Sequence, residues 1–189
     1  MDQLRKCEQI FTEMLNNDYF LTLETGDILH IFFKKEHFQH LLGLHKLKDI
    51  PAAQAGAGKK QLIYKRIQRG ELTMSQIRKS KYYHKIADRI QLFPMIESLF
   101  FKKVIVDFNP ALLESCKLNA QYILYREYGT GYLQLAIGNS VSGIYPESFM
   151  YEPTKYYLSE QTLLDVVKLE IVPKTKKKKE NANKKPVLS

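Results

Sequence analysis

The sequence predicts an α+β fold in which helices pack on a mostly antiparallel β-sheet. Apolar residues recur with a helical period through most of the first half of the chain, whereas short β-rich runs separated by turn residues dominate the second half. The chain has 189 residues, of which 44% are hydrophobic and 12% aromatic, enough for one packed domain. We therefore predict a single domain over residues 1–173 and a disordered lysine-rich tail over residues 174–189.

The first half of the chain contains the predicted helices and one hairpin. Residues 2–16 place apolar side chains at a helical period. Two β-rich runs, 19–24 and 27–33, flank Thr25-Gly26-Asp27, a sequence that favours a hairpin turn. Further helices are expected at residues 34–43, 59–70, 73–79 and 82–102, with a capping box at Thr73 and Gln76, a loop at 51–58 and a break near Pro94.

The second half predicts a meander of strands. Residues 121–128 and 131–138 flank Gly129-Thr130-Gly131 and predict a second hairpin. Pro146 cannot donate to a sheet ladder, so its strand, 143–151, is expected at an edge or at a bulge. The remaining expected elements are a strand at 104–107, a short helix at 159–165 and a final strand at 166–172. Alternation along 131–138 places Leu133, Leu135 and Ile137 on one face and Tyr132, Gln134 and Ala136 on the other.

Positive charge is concentrated in two segments of a chain whose net charge is +9. Residues 59–89 contain ten Lys and Arg against two acidic residues, and residues 174–189 contain seven lysines against one glutamate. Clusters of this kind attract polyanions through electrostatic steering and counterion release. The alternative is a solvated helix face together with a solubilising tail.

Several classes of protein are disfavoured by what the sequence contains. No apolar run approaches the roughly 18 residues that a membrane-spanning helix needs, and the N-terminal residues lack the apolar region of a signal peptide. The two thiols, Cys7 and Cys116, cannot form a disulfide framework or fill a four-ligand zinc site, which indicates a reducing compartment. No nucleotide-binding loop, dinucleotide fingerprint or nucleophile elbow is present. We therefore expect a cytoplasmic protein without membrane association and without a cofactor.

Three of the five histidines, His37, His40 and His45, fall within nine residues. On a helix, His37 and His40 lie one turn apart and share a face. Histidine changes its charge near neutral pH, so it suits general acid–base catalysis. A zinc site is disfavoured because the pair lacks the i, i+4 spacing of a metalloprotease helix and a following third ligand. A structural or surface role for these histidines is the remaining alternative.

An ordered set of short motifs resembles the phage-associated Barnase–EndoU–colicin E5/D–RelE-like nuclease domains. The set consists of His-Phe-x-His-Leu-x-Gly-Leu-His, Val-Asp-Phe-Asn-Pro, Tyr-Ile-Leu-Tyr-Arg, Tyr-Leu-x-Leu-x-Ile and Tyr-Pro-x-Ser-Phe. The resemblance covers roughly residues 1–172. It implies a small ribonuclease-like fold, with helices packed on a curved antiparallel sheet, and cleavage of RNA without a metal ion.

The resemblance also implies catalytic positions. His40 is similar to the family's helix-borne histidine, Arg126 to the basic residue of a central strand, and Ser148 to the hydroxyl residue on the next strand but one. His37 is the second candidate histidine, because it lies on the same helical face as His40. Pairing with a carboxylate across the hairpin is the alternative role for Arg126, and a turn is the alternative for Ser148.

These residue types suit the cleavage of RNA by its own 2′-hydroxyl. A histidine can remove or return a proton, an arginine can clamp the phosphoryl oxygens, and a hydroxyl can hold one of them. The sequence thus favours a toxin-like RNA endonuclease, with RNA or another nucleic acid as its partner. The alternative is a catalytically silent module that binds nucleic acid or a host-defence protein; a protein inhibitor is a further expected partner. Candidate RNA contacts are His45, Lys59, Lys60, Arg66, Arg78, Tyr125 and Tyr151.

Overall fold

A computed structural model describes residues 2–56, 59–141 and 143–174. Within these residues the fold is α+β, as predicted, with the helices in the first part of the chain and most of the strands in the second. The α-helices are α1 (Gln3–Leu15), α2 (His37–Leu41), α3 (Gln61–Gln68), α4 (Met74–Ile77) and α5 (Ala87–Leu92). The strands are β1 (Asn17–Leu23), β2 (Ile28–Phe32), β3 (Val104–Asp107), β4 (Tyr122–Tyr128), β5 (Gly131–Ser140), β6 (Gly143–Glu152) and β7 (Thr162–Pro173).

The seven strands form a closed barrel in the order β1-β2-β6-β5-β4-β3-β7. All neighbouring pairs are antiparallel except β2 and β6, which pair in parallel only at Ile31 and Ile144. The predicted mostly antiparallel sheet is therefore present, and it curves far enough to close on itself. Among the described residues, no strand pairs with the outer edge of β6 beyond Ile144. Helices α2 and α5 both contact β6.

The core lies between the helices and one face of the curved sheet. Helix α1 begins at the N-cap Asp2, whose carboxylate accepts backbone N–H bonds from Leu4 and Arg5. One stripe of α1 is buried, and Phe11 at its centre is fully enclosed. Its ring contacts those of Phe33, Phe38, Tyr64 and Phe93, which come from four separate segments. This aromatic cluster fixes the positions of α2 and α5 against the sheet.

Both predicted hairpins are confirmed, and so is the capping box. Strands β1 and β2 join through Gly26, whose φ is +90°, and β4 and β5 join through Gly129, whose φ is +57°. Thr73 and Gln76 exchange both bonds of the capping box at α4. Pro146 lies where the register between β5 and β6 shifts, as its missing N–H predicts.

The predicted helix at residues 159–165 is wrong. The chain turns at Lys155–Ser159 and then enters β7, where Leu164 lies opposite Ile105 of β3. The short apolar run fits either a helix or a strand, and pairing with β3 determines the outcome. The predicted helix at 82–102 is broken into α5 and the flanking 3₁₀ helices Tyr83–Lys85 and Phe93–Leu99, with Pro94 at the second break.

No helix within the described ranges has both the length and the apolar character needed to cross a bilayer. The lysine-rich tail beyond Lys174 lies outside the described residues, and so do Ala57 and Gly58 of the predicted loop.

Candidate active site

Helix α2 and the turn that follows it bring two histidine rings together. Gly43 ends α2 in the left-handed conformation, with a φ of +69°, and the chain reverses into the 3₁₀ turn Leu44–Lys46. The rings of His40 and His45 consequently lie with their centroids 4.8 Å apart. Both side chains are half-buried. The two histidines are thus paired by backbone geometry and not by helical spacing.

His40 opens into a cavity of about 250 Å³ that it shares with Glu36, Lys60 and Gln61. Burial lowers the pKa of His40, and the positive charge of Lys60 lowers it further, while the negative charge of Glu147 opposes them. His40 is therefore a neutral imidazole at neutral pH, the form that can accept a proton. Lys60, predicted as an RNA contact, lies beside the predicted catalytic histidine.

His45 is the more strongly perturbed member of the pair. Burial lowers its pKa to about 4, and the charges of His40, Lys46 and Arg89 act in the same direction. Its Nδ1 atom is buried. A hydrogen bond with the backbone of Gln39 opposes the other effects and raises the pKa.

Arg89 of α5 joins the histidines to Ser148 of β6. Its Nη1 atom donates to Ser148 Oγ at 3.1 Å and more weakly, at 3.5 Å, to the backbone carbonyl of His40. Burial lowers the pKa of Arg89, and the carboxylate of Glu152 partly restores it. We name His40, His45, Arg89 and Ser148 the His40–Arg89 cluster.

Space for Arg89 depends on the glycine that ends α2. A Cβ atom built on Gly43 would lie 2.9 Å from Ile86 Cγ2 and 3.2 Å from Arg89 Cδ. The stem of Arg89 therefore passes directly over this glycine. Gly43 meets two requirements at once, the left-handed turn and the approach of α5 to α2.

Two charged side chains surround the cluster. Burial raises the pKa of Glu152, and the cations Arg89 and Lys46 lower it. Burial and the nearby Arg89 lower the pKa of Lys46. Neither residue was predicted as part of the site, and nor was Arg89. The positive charge of residues 59–89 predicted that this segment attracts polyanions, but it did not predict which of its cations would contact β6.

His37, the second predicted catalytic histidine, lies on the same helix but has a different setting. Its Nδ1 atom accepts the backbone N–H of Lys34 at 3.1 Å, and its ring packs near those of Phe32 and Tyr145. Burial lowers its pKa to about 4. One nitrogen is thus committed to the chain entering α2, which leaves Nε2 for any exchange of protons.

The structure does not bring Arg126 to His40 and Ser148. Arg126 lies opposite Leu133, and Ser148 lies opposite Ala136, three residues farther along the same strand. Because alternate residues of a strand point to opposite faces, Arg126 and Ser148 are on opposite faces of the sheet. The Nη1 atom of Arg126 donates to Ser98 Oγ at 3.1 Å. No carboxylate in the described ranges lies within ion-pair distance of Arg126, so the alternative of a salt-bridged strand residue is not observed either.

The remaining predicted RNA contacts divide into accessible and structural side chains. Lys59, Lys60 and Arg78 are exposed. Arg66 is occupied by the loop before α3, donating to the carbonyls of Ala52 at 2.9 Å and Gln54 at 3.1 Å. Tyr151 is half-buried, and its ring lies over Gly131, where an added Cβ would approach it to 2.7 Å. Tyr125 lines one cavity with Arg126.

Within residues 2–56, 59–141 and 143–174, no group of three or more His, Cys, Asp and Glu side chains could hold a metal ion.

A small α+β domain with a strongly curved sheet, and with paired histidines and an arginine at its edge, has the features of a nuclease-like domain. The model of the family phage-Barnase-EndoU-ColicinE5/D-RelE like nuclease 4 matches residues 3–189, which is nearly the whole chain. The chain therefore belongs to this family of phage-associated nuclease domains, as the motif order predicted. The match extends through the lysine-rich tail, which the motifs do not reach. No curated protein and no solved structure matches the chain.

Proposed function

We propose that this protein is an RNA endonuclease that cleaves without a metal ion, by attack of the ribose 2′-hydroxyl on the adjacent phosphate. The observation that carries the proposal is the His40–Arg89 cluster. Its guanidinium bonds the hydroxyl of Ser148 and the backbone of His40 at the same time. The Arg89 guanidinium thus links the Ser148 hydroxyl to the helix that carries the His40 imidazole.

The cluster supplies the groups that this reaction needs. Neutral His40 accepts the proton of the 2′-hydroxyl, whose oxygen then forms a bond to phosphorus while the bond from phosphorus to the 5′-oxygen breaks. Arg89 offers its remaining N–H groups to the phosphoryl oxygens, where negative charge accumulates. Ser148 accepts from Arg89, so its own hydroxyl hydrogen is directed elsewhere and can donate to the phosphate.

The charge around the cluster fits an anionic substrate. Lys46, Lys60 and Arg89 depress the histidine pKa values in the free protein. A bound phosphodiester places negative charge beside these cations, which raises the pKa of His40 and makes it a better proton acceptor when the substrate is present. His40, once it has taken the proton of the 2′-hydroxyl, is the group that can return a proton to the departing 5′-oxygen. The ring of His45 lies beside it, with the two centroids 4.8 Å apart.

Cleavage of total RNA in the presence of EDTA tests the proposal. We expect products that end in a 2′,3′-cyclic phosphate, because attack by the 2′-hydroxyl forms this ring and needs no metal. A substrate whose 2′-hydroxyls are methylated should bind but remain intact. Binding without any product would overturn the nuclease proposal and favour the alternative, a catalytically silent module. Cleavage that stops on chelation would overturn the metal-independent mechanism.

A further inference from the structure

A second cationic cavity shares no residue with the His40–Arg89 cluster. It has a volume of about 370 Å³ and is lined by Lys102, Lys103, Val104, Tyr125, Arg126 and Glu127. Three of these side chains are cations and one is a carboxylate. Lys102 and Lys103 are exposed, whereas Arg126 is half-buried. The cavity therefore places a positive side chain in its wall and two more at its rim.

The cavity exists because two neighbouring strands differ in length. Strand β3 begins at Val104, and its ladder with β4 ends at the pair Ile105 and Leu124. Strand β4 continues to Tyr128, so Tyr125, Arg126 and Glu127 have no β3 ladder partner beside them. Lys102 and Lys103 lie in the turn that leads into β3. They face the unpaired end of β4 across the gap.

Arg126 is held in this gap with part of its guanidinium unsatisfied. Ser98 fixes one end, because its Oγ accepts from Arg126 Nη1 and itself bonds the carbonyl of Met95 at 2.6 Å. The Nε atom is buried and has no hydrogen-bond partner among the described residues. A buried N–H of a charged group without an acceptor is destabilising by more than an ordinary unmade hydrogen bond. A bound anion in the cavity would supply the opposite charge that no carboxylate of the described residues gives Arg126.

We propose that this cavity is a phosphate-binding site, separate from the cleavage site, and that its ligand is a phosphodiester of a nucleic-acid strand. An arginine clamps phosphate oxygens in a bidentate way, and two adjacent lysines add charge. Tyr125 contributes to the lining of the same cavity, while its side chain packs against the apolar cluster of Val106 and Ile123. The site needs no cleavage chemistry, so it does not depend on the proposed nuclease activity.

The Nε–H resonance of Arg126 tests the site directly. It is assigned in a ¹H–¹⁵N spectrum by its absence from the Arg126→Lys spectrum. Titration with inorganic phosphate, and separately with a short 2′-O-methylated oligonucleotide that cannot be cleaved, should move this resonance downfield and slow its exchange with water. If inorganic phosphate moves the resonance and the oligonucleotide does not, the site binds free phosphate, and the nucleic-acid part of the proposal is overturned. A resonance that neither probe moves would overturn the site itself.

A second pair of variants measures what the rim contributes. Lys102→Gln combined with Lys103→Gln leaves the core untouched, and Lys48→Gln combined with Lys117→Gln removes the same charge from exposed positions elsewhere. We expect the rim variant to bind the methylated oligonucleotide roughly tenfold more weakly. The dependence of log affinity on log salt should flatten by about 0.7 for each phosphate that the variant no longer neutralises.

Equal effects of the rim variant and its control would overturn the site, since general charge would then explain both. These measurements use an oligonucleotide that resists cleavage. A protein that binds at Arg126 and never cuts RNA would therefore refute the nuclease proposal and leave this site intact. A protein that cuts RNA without the Arg126 shift would do the opposite.

Discussion

Arg89 is the side chain on which the geometry of the proposed active site depends. It donates to Ser148 and to the backbone of His40, and therefore spans from α5 to both β6 and α2. Both bonds leave from the same nitrogen, Nη1, so the other N–H groups of the guanidinium are left for a phosphate. Lysine retains the charge at this position, but its single nitrogen cannot also clamp a phosphate in a bidentate way. We expect Arg89→Lys to reduce the rate of RNA cleavage about 10²–10³-fold, the usual effect of removing one donor to a developing oxyanion.

The matched control is Arg69→Lys at an exposed position, where the arginine pairs with Glu71. It should leave the rate unchanged. Single-turnover cleavage of a defined oligonucleotide gives the comparison, with thermal unfolding to show that both variants fold. An Arg89→Lys protein that folds and cleaves at the normal rate would show that Arg89 is a structural link and not a phosphate clamp.

His40 is expected to act in proton transfer more than in binding. His40→Ala should reduce turnover about 10²–10⁴-fold, as removal of one general acid or base does, with little change in RNA affinity. His84→Ala removes an exposed histidine at the start of the region around α5 and serves as the control. Full cleavage by His40→Ala would refute the assignment. The base would then be His37, through its remaining Nε2, or His45.

The histidine pKa values also predict how stability depends on pH. Burial lowers the pKa of His45 from its ordinary 6.5 to about 4, so the unfolded chain binds a proton between these values that the folded protein does not. The contribution of His45 to the free energy of unfolding should therefore be complete above about pH 6.5, and it should be lost as the pH falls towards 4. Burial of His37 acts in the same direction.

Denaturant unfolding at several pH values between 4 and 7.5 measures this decline. His45→Gln removes one of the titrating groups and should flatten the dependence, while the exposed control His84→Ala should leave the slope unchanged. A decline equally steep in the His45→Gln protein would show that other groups cause it.

At the level of elements, the meeting of α2 and α5 depends on Gly43. Alanine in a left-handed conformation costs about 1 kcal/mol, and here the new Cβ would also crowd Ile86 and Arg89. Gly70 is a matched control, because its φ of +75° is similar and no atom of the described residues lies within 4 Å of an added Cβ. Gly70→Ala should therefore show the backbone cost alone.

We expect Gly43→Ala to lower the free energy of unfolding by about 1–3 kcal/mol more than Gly70→Ala does, the usual range for crowding a packed site. It should also slow RNA cleavage, because a displaced Arg89 can no longer bond Ser148. Chemical denaturation and the cleavage assay measure the two effects. Equal decreases of stability in both variants would mean that α5 yields freely and that Gly43 only ends the helix.

At the level of the whole molecule, the lysine-rich tail is predicted to add affinity and not chemistry. Lys174 has a structural role, since its Nζ donates to the Leu15 carbonyl at 3.2 Å and lies 3.5 Å from an Asp18 oxygen. A truncation should therefore begin at residue 175. It removes six lysines and one glutamate, and we expect weaker RNA binding with cleavage of saturating RNA preserved.

The slope of log affinity against log salt should flatten by roughly 0.7 for each phosphate that the truncated protein no longer neutralises. Fluorescence anisotropy with a labelled oligonucleotide at several salt concentrations measures it. An unchanged slope would show that the tail does not touch RNA, and that the exposed cations of residues 59–89 and the Arg126 cavity bind the phosphates instead. The division of the chain into a domain at 1–173 and a disordered tail stays a prediction.

The sequence by itself determined much of the architecture and the family. Local signals are decisive where the chain interacts with near neighbours: Gly26 and Gly129 mark the turns of the two hairpins, and Thr73 with Gln76 marks a helix start. The order of the short motifs identified the nuclease family, and the close spacing of His40 and His45 marked where chemistry was to be sought.

The tertiary structure alone decided which cation joins the histidines. Ten Lys and Arg residues fall within residues 59–89, and only the packing of α5 against β6 selects Arg89 from among them. Register decided the position of Arg126 in the same way. Residues that pair directly across strands point to the same face, and successive residues alternate. The β5 partners of Arg126 and Ser148 are three residues apart, so the two side chains point to opposite faces. Long-range pairing also made residues 162–165 a strand, because β3 offers them a ladder that no local pattern encodes.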